Sequence, residues 1–106
     1  MKVENMLSDR GNKIANQFII EDNNGNDWFQ SYKSIIVLIN SEGQVYLDEY
    51  YWDYSRTTSK YRNIFLNEST KETQKKITKG QYKLVDLNSM INGNVLGEHH
   101  LIKGVK

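Results

Sequence analysis

Apolar and polar residues alternate through much of the first half of the chain, which is the pattern of β-strands with one exposed face. Two stretches show this alternation, 27–32 and 44–51, and residues 17–22 are predicted to form a strand because Phe18, Ile19 and Ile20 favour β-structure. Turn-forming residues lie between strands, notably Asn23-Asn24-Gly25-Asn26 and Ser41-Glu42-Gly43, where asparagine and glycine tolerate the positive φ angles of hairpin turns. The pattern predicts antiparallel strands joined by short hairpins.

Residues 34–40 differ because their apolar run, from Ile35 to Ile39, is uninterrupted and rich in β-branched side chains. Such a run is typical of a strand that is covered on both faces. We therefore place 34–40 at the centre of an antiparallel β-meander over residues 17–55. Alternation returns at 81–87 and predicts a last strand that rejoins the sheet.

After Tyr54 the hydrophobic period changes from two to about 3.6 residues, which indicates a helix. Thr57 or Thr58 is suited to cap its start, because a threonine hydroxyl accepts a hydrogen bond from the first turn. The predicted inner face consists of Tyr61, Ile64 and Phe65. Arg62 stands off this stripe and is predicted to point outward.

A second short helix is predicted to follow at once. Ser69-Thr70-Lys71-Glu72 has the form of a capping box, in which the serine and glutamate side chains each accept from the other residue's backbone amide. The helix ends before Gly80, a residue suited to the end of a helix. The combined patterns predict an α+β fold, in which an antiparallel β-meander of about five strands packs with a short helical hairpin inserted before the last strand.

The length of 106 residues suits one domain with a single core. Its predicted order is an arm at 1–16, the meander at 17–55, two helices at 56–80, a final strand at 81–87 and, at 88–106, a tail or a terminal hairpin. Turn-formers dominate the arm, with a tight turn at residues 10–12. Cysteine is absent, and no apolar run approaches the roughly 20 residues that cross a bilayer. We therefore expect a cytoplasmic protein without membrane association.

Charge is divided along the sequence although the net charge is +1. Residues 17–55 hold seven acidic residues against one lysine, a balance of −6. Residues 56–83 hold eight basic residues against two acidic ones, a balance of +6. Either the two halves pair with each other, or one of them attracts a charged partner.

The run from Tyr50 to Arg62 places aromatic rings beside cations, which is typical of recognition surfaces. A strand through residues 50–54 would carry rings on both faces, although only one face can meet the core. The rings therefore serve either a binding surface or the edge of the core. The candidate binding residues are Trp52, Asp53, Tyr54, Arg56, Lys60 and Arg62.

The sequence contains no convincing catalytic set. No serine lies in a G-x-S-x-G elbow, and a thiol nucleophile is excluded by the lack of cysteine. His99 and His100 are adjacent, so they diverge on a strand or a helix and rarely share a metal. Asp48 and Glu49 diverge in the same way. We expect a protein that binds rather than catalyses, with no metal or cofactor.

Several segments form a recognisable set: Ser8-Asp9-Arg10-Gly11-Asn12-Lys13, Asn16-Gln17-Phe18, Phe29-Gln30-Ser31-Tyr32, Trp52-Asp53-Tyr54-Ser55 and Lys60-Tyr61-Arg62-Asn63. Through them the chain resembles a family of small phage and mobile-element proteins of low-G+C Gram-positive bacteria, over residues 6–88. The resemblance implies a biological context and assigns no role to a residue. Asn, Lys, Ile and Tyr are abundant and proline is absent. Since the codons of these four residues are rich in A and T, this composition agrees with an A+T-rich genome.

Small phage accessory proteins often act stoichiometrically on host machinery, and by analogy with that context we expect the same of this chain. One hypothesis is a module that binds a host or phage protein, in particular an inhibitor of a host defence nuclease comparable to anti-CRISPR proteins. Its contact face would be the acidic sheet, imitating phosphates, or the aromatic junction. The alternative is nucleic-acid binding through the Tyr50 to Arg62 segment, with Trp52 or Tyr54 stacked on bases. The oligomeric state stays open.

Overall fold

The computed structural model describes residues 1–91, in which six strands form one sheet in the order of the chain. The strands are β1 (Lys2–Leu7), β2 (Lys13–Glu21), β3 (Asp27–Ser31), β4 (Ser34–Ile39), β5 (Val45–Asp48) and β6 (Tyr82–Val85). The helices are α1 (Arg56–Leu66), α2 (Thr70–Thr78) and α3 (Leu87–Ile91). The fold is α+β, with a mostly antiparallel sheet and a helical pair before the last strand, which confirms the predicted class.

Strand β1 corrects the expectation of an irregular N-terminal arm and brings the described sheet to six strands. It pairs antiparallel with β2. Within β1 the buried side chain is Met6, so the hydrophobic alternation is too weak to reveal the strand. The predicted turn between the two strands is present, and the Gly11 N–H donates to the Ser8 carbonyl at 2.9 Å.

Two rows of side chains cross the sheet on opposite faces, because successive residues of a strand point to opposite sides. Ile20, Trp28, Leu38 and Tyr46 form one row. Ile19, Phe29, Val37 and Leu47 form the other. Leu87 of α3 packs against the first row, and α1 covers the second, where the Phe65 and Phe29 rings stack with centroids 5.6 Å apart. Strand β4 is buried on both faces at residues 35–38, as predicted.

The last strand is the parallel member of the sheet. β6 runs beside β5 in the same direction, with Leu84 opposite Leu47. Helices α1 and α2 connect them, since a parallel pair needs a long crossover rather than a hairpin. The alternation at 81–87 predicts the strand but not its direction. Of the predicted tail at 88–106, residues up to 91 belong to α3 and the rest lies outside the described residues.

Helix α1 starts earlier than predicted. Ser55 is its N-cap, and its Oγ accepts a hydrogen bond from the Thr58 N–H at 3.1 Å. Thr57 and Thr58 therefore lie inside the helix rather than at its cap. The predicted capping box of α2 is present, because Ser69 Oγ accepts from the Glu72 N–H at 3.1 Å and Glu72 Oε1 from the Ser69 N–H at 2.8 Å.

The inner face of α1 also differs from the predicted one. It consists of Thr58, Tyr61, Arg62 and Phe65, at the i, i+3, i+4, i+7 spacing of one helical stripe. Ile64 is 55% exposed, whereas Arg62 is fully buried. The expectation that Ile64 packs inward and Arg62 points outward is therefore wrong. A buried arginine is tolerated here because it finds polar partners within the fold.

Candidate functional site

A buried carboxylate shapes the turn that follows β5. Asp48 is 1% exposed, and its Oδ2 accepts from the backbone N–H groups of Tyr50 at 3.1 Å and Tyr51 at 2.9 Å. Its Oδ1 accepts from the N–H of Leu87 at 2.9 Å and ties the turn to the start of α3. Hydrogen bonds to a carboxylate are strong, so Asp48 fixes the backbone that presents the aromatic residues.

Three tyrosines pack edge to face on this turn. The ring centroids of Tyr50 and Tyr51 are 4.7 Å apart, and those of Tyr51 and Tyr54 are 5.0 Å apart. Tyr50 is 75% exposed and Tyr54 is 49% exposed, with the half-buried Tyr51 between them. Edge-to-face packing favours fixed ring positions. We call Tyr50, Tyr51 and Tyr54 the tyrosine cluster.

Arg62 ties the same turn to both helices of the pair. Its guanidinium carbon lies 5.0 Å from the ring centroid of Trp52, and its Nη1 donates to the Trp52 carbonyl. Nη2 donates to Asn63 Oδ1 at 2.8 Å and to Thr70 Oγ1 at 2.7 Å. Asp53 Oδ1 is 3.4 Å from Nη1. One buried side chain thus joins the turn, α1 and the first residue of α2.

The buried guanidinium keeps its charge. Burial lowers the pKa of Arg62, while the negative charge of Asp53 opposes that effect. An arginine pKa starts so far above neutrality that the group stays protonated. The Asp53 side chain, which is 45% exposed, is the carboxylate that pairs with this charge. Positive charge is therefore a permanent feature of the region beneath the turn.

An open groove of about 600 Å³ lies against this network at the start of α1. Its lining, which defines what we call the α1 groove, consists of Asp53, Tyr54, Ser55, Arg56, Ser59, Lys60, Asn63 and Thr70. Four of these residues, Asp53, Ser59, Asn63 and Thr70, also contact the Arg62 guanidinium. Arg62 therefore positions half of the groove lining without itself belonging to that lining.

Arg56 and Lys60 bring exposed positive charge to the groove. They lie four residues apart on α1 and so share one face of the helix. Neither forms an ion pair with any residue in the described part of the chain. The first turn of α1 also lacks an acidic residue, so no carboxylate within that turn offsets the positive end of the helix dipole. These charges favour a negatively charged ligand.

The structure brings four of the six predicted binding residues to the α1 groove: Asp53, Tyr54, Arg56 and Lys60. The other two, Trp52 and Arg62, pack on each other beneath it, so Arg62 is not the outward contact that the sequence predicted. Sequence reasoning missed Ser59 and Asn63, although their helical spacing from Arg56 places them on its face. It had no signal for Thr70, which another helix supplies.

The acidic half of the chain is less available than its charge balance suggests. Asp22 accepts hydrogen bonds from both nitrogens of Asn26 and from the Trp28 indole N–H at 2.9 Å. Asp48 and Asp53 are held in the contacts described above. Three of the seven carboxylates in residues 17–55 thus stabilise turns or pair internally, whereas six of the eight cations in residues 56–83 form no described ion pair. The exposed excess of charge lies on the helical pair.

No helix within residues 1–91 is long and apolar enough to cross a membrane. Those residues also contain no group of three or more acidic, histidine or cysteine side chains that could hold a metal ion. The adjacent His99 and His100 that the sequence analysis considered lie outside the described residues.

Comparison with known proteins supplies a family. A sequence model of a family of unknown function, DUF8033, matches residues 1–82 of the 106-residue chain. No curated protein and no solved structure gives a significant match. The matched region contains the tyrosine cluster, the complete α1 groove and both helices of the pair. The chain therefore belongs to DUF8033, a family whose function is unknown.

Proposed function

We propose that this protein is a non-catalytic binding module that attaches stoichiometrically to another protein through the tyrosine cluster and the α1 groove. One observation carries the proposal: the exposed ring of Tyr54, which belongs to the tyrosine cluster, lines a groove whose cations, Arg56 and Lys60, have no ion-pair partner in residues 1–91. Tyrosine and arginine are enriched among the residues that dominate protein–protein binding energy.

The rigidity of the surface supports this proposal. Asp48 holds the turn through backbone hydrogen bonds, and Arg62 holds it from below. A contact surface that is already ordered loses less conformational entropy on association. The tyrosine rings are packed against one another before any partner arrives, so their apolar area is available for binding at low entropic cost.

The geometry favours a protein partner over a nucleic acid. Binding of single strands relies on rings that are free to stack on bases. The Trp52 ring, one of the two rings proposed for stacking, is faced by the Arg62 guanidinium at 5.0 Å. Tyr54, the other, packs edge to face on Tyr51. The remaining ring area suits the mixed apolar and polar contacts of a protein interface.

The side chains of the groove support binding rather than catalysis. Ser59 Oγ donates to Asp53 Oδ1 at 2.8 Å, and the same carboxylate faces Arg62 at 3.4 Å. A serine nucleophile needs a general base that is free to take its proton. Here both side chains instead hold the guanidinium in place, which is a structural task.

We further propose that the partner is a host defence nuclease and that the two proteins meet in the cytoplasm of a bacterial host. The support for this partner is the resemblance to small phage and mobile-element proteins, which often act on host machinery. The positive surface of the helical pair would then meet an acidic region of the nuclease rather than its nucleic-acid channel. This surface also replaces the acidic sheet as the proposed contact face.

The proposal is tested by affinity capture from an extract of cells that carry the gene, with wild-type protein and two double variants. Tyr54→Ala/Lys60→Ala removes a ring and a cation from the α1 groove. Tyr32→Ala/Lys33→Ala removes the same residue types from the β3–β4 turn, where Tyr32 is also 49% exposed and neither residue lines the groove.

We expect the wild type and the Tyr32→Ala/Lys33→Ala variant to retain the same protein at equal molar ratio. The Tyr54→Ala/Lys60→Ala variant should retain at least tenfold less of that protein, since one central tyrosine alone contributes about 2 kcal/mol in many interfaces. Retention of that protein by all three samples would show that the groove is not the contact surface. Recovery of nucleic acid in its place would refute a protein partner.

A further inference from the structure

The outer face of α2 forms a second positively charged surface. A cleft of about 540 Å³ follows this face and is lined by Thr70, Lys71, Gln74, Lys75, Thr78 and Lys79. The three lysines recur every fourth residue and are exposed, so they lie in one row about 6 Å apart along the helix axis. The row extends from the first turn of α2 to its C-cap, Lys79.

The α2 cleft and the α1 groove meet at Thr70, which lines both. Thr70 Oγ1 accepts from Arg62 Nη2 at 2.7 Å and from Asn63 Nδ2 at 3.2 Å. The buried arginine therefore fixes the junction of the two depressions. Their cations make a connected set, and none forms a described ion pair: Arg56, Lys60, Lys71, Lys75 and Lys79.

No acidic residue of the helical pair forms a described ion pair with this set. Glu68 Oε1 lies 2.7 Å from Lys76 Nζ, on a different side of α2. The Glu72 carboxylate accepts from the Ser69 N–H in the capping box, and Asp53 pairs with Arg62. Each internal carboxylate thus has a partner, and the five cations are left for a ligand from outside.

The geometry points to one continuous cationic track, formed by the α1 groove and the α2 cleft, that binds an extended acidic segment of the protein partner. This inference rests on the proposed function and adds the chemistry of the bound segment. The α2 part of the track is about 14 Å long, which is the span of about four residues of an extended peptide. An extended chain with a carboxylate on alternate residues repeats at about 7 Å, close to the lysine spacing.

An acidic peptide fits the track better than a single-stranded nucleic acid. Among the residues that line the two depressions, Tyr54 of the α1 groove carries an aromatic ring, and no residue that lines the α2 cleft does. Nucleic-acid strands gain much of their affinity by stacking successive bases on rings. Carboxylates need cations that can also donate hydrogen bonds, which the exposed lysines and Arg56 provide.

The test measures fluorescence anisotropy of a labelled peptide of twelve glutamates, titrated with the full chain at low and at physiological salt. Its nucleic-acid counterpart is a labelled oligonucleotide of twelve thymidines. One variant, Lys71→Gln/Lys75→Gln/Lys79→Gln, removes the α2 row, and another, Arg56→Gln/Lys60→Gln, removes the cations of the α1 groove. The matched controls are Arg10→Gln/Lys13→Gln/Lys33→Gln and Arg10→Gln/Lys13→Gln, which lose the same charge outside the track.

We expect the glutamate peptide to bind more tightly than the oligonucleotide and to weaken with salt. Each track variant should lose about tenfold in affinity, as two or three exposed ion pairs would contribute, and each control less than about threefold. The α2 variant could instead bind the peptide like its control while the α1 variant binds it more weakly. The acid site would then be confined to the α1 groove. That result refutes the track and leaves the proposed function standing.

Two other results overturn the inference. Absence of peptide binding by the wild type refutes the track, and the capture experiment then decides separately whether the proposed function survives. Tighter binding of the oligonucleotide, with the same loss in both track variants, assigns the track to nucleic acid and contradicts both proposals. Circular dichroism of every variant checks that the helices stay intact.

Discussion

The guanidinium of Arg62 packs 5.0 Å from the ring centroid of Trp52 and donates a hydrogen bond to the Trp52 carbonyl. The contact joins a turn to a helix across ten residues of sequence. A buried charge is costly unless it is paired and hydrogen-bonded, and here a ring, a carbonyl and side chains of two helices contact the guanidinium through its Nη atoms, whereas its buried Nε has no hydrogen-bond partner among the described residues. Arg62 is therefore a structural centre of the site, whereas the exposed Arg56 and Lys60 form no ion pair with any described residue.

Replacement of this buried arginine should be far more destabilising than replacement of an exposed one. Arg62→Ala removes hydrogen bonds to Trp52, Asn63 and Thr70, and we expect a loss of about 2–4 kcal/mol in the free energy of unfolding. Arg56→Ala should change it by less than about 0.5 kcal/mol, because its side chain is exposed. Urea unfolding followed by tryptophan fluorescence measures both, and equal effects would contradict the burial of Arg62.

The orientation of α1 is tested by two apolar residues that are neighbours in sequence. Phe65 stacks on Phe29 in the core, so Phe65→Ala should cost about 3 kcal/mol or more. Ile64 is 55% exposed, and Ile64→Ala should cost less than about 0.5 kcal/mol because alanine has the higher helix propensity. Thermal unfolding ranks the two variants. A loss for Ile64→Ala comparable to that for Phe65→Ala would restore the inner face that the sequence predicts, which contains both residues.

Loss of the Asp48 carboxylate should loosen the tyrosine cluster. Asp48→Ala leaves the N–H groups of Tyr50, Tyr51 and Leu87 without their acceptor, and we expect a loss of about 2 kcal/mol in the free energy of unfolding. The proton shifts of the tyrosine rings should also move toward solvent-exposed values, as measured by nuclear magnetic resonance. Glu49→Ala, an exposed neighbour, is the control. Unchanged ring shifts in Asp48→Ala would show that the cluster is ordered without the carboxylate.

Glu68 should make stability depend on pH in the acid range. Its Oε1 accepts from Lys76 Nζ at 2.7 Å and from the Tyr82 hydroxyl at 2.8 Å, and its Oε2 accepts from the Thr73 hydroxyl at 2.5 Å. Burial alone would raise the pKa of Glu68, but these hydrogen bonds outweigh it and lower the pKa. A carboxyl with a lowered folded-state pKa stabilises the fold above its unfolded-state pKa, about 4.3, and this stabilisation is lost as the pH falls through the folded-state value.

The corresponding variant is Glu68→Gln, which keeps the shape of the side chain and removes its charge. We expect the wild type to lose stability as the pH falls below the pKa of an unfolded-state glutamate. The variant should be less stable than the wild type at neutral pH, and its stability should depend less on pH. Urea midpoints over the acid range measure both profiles. Glu42→Gln, at an exposed turn position, is the control. Parallel profiles for Glu68→Gln and the wild type would exclude this carboxyl as the source.

Local patterns were sufficient to predict most of the sheet and the start of α2. The apolar run of β4 and the Ser69 to Glu72 capping box depend on neighbouring residues, and both are confirmed. Strand β1 was missed because an edge strand with one buried residue has almost no alternation. The direction of β6 was beyond the sequence pattern, since it depends on how α1 and α2 return the chain.

The candidate site was predictable in its location but not in its internal order. Asp53, Tyr54, Arg56 and Lys60 reach the α1 groove because they are close in sequence. The burial of Arg62 depends on partners in three different segments, among them Thr70 of the next helix. No helical period reports such a contact, so a charged residue was assigned to the surface. The charge balance of residues 17–55 likewise does not reveal that Asp22 and Asp48 accept hydrogen bonds within the fold.

We propose that a protein partner binds the surface beside the buried Arg62. Site-specific photocrosslinking tests it most directly, with a benzoylphenylalanine in place of Tyr54 in the α1 groove or of Leu7, which is 60% exposed on β1. We predict that the probe at position 54 forms one crosslinked product with a protein of the host extract, and that the probe at position 7 does not form it. The same product from both positions, or from position 7 alone, would contradict the account.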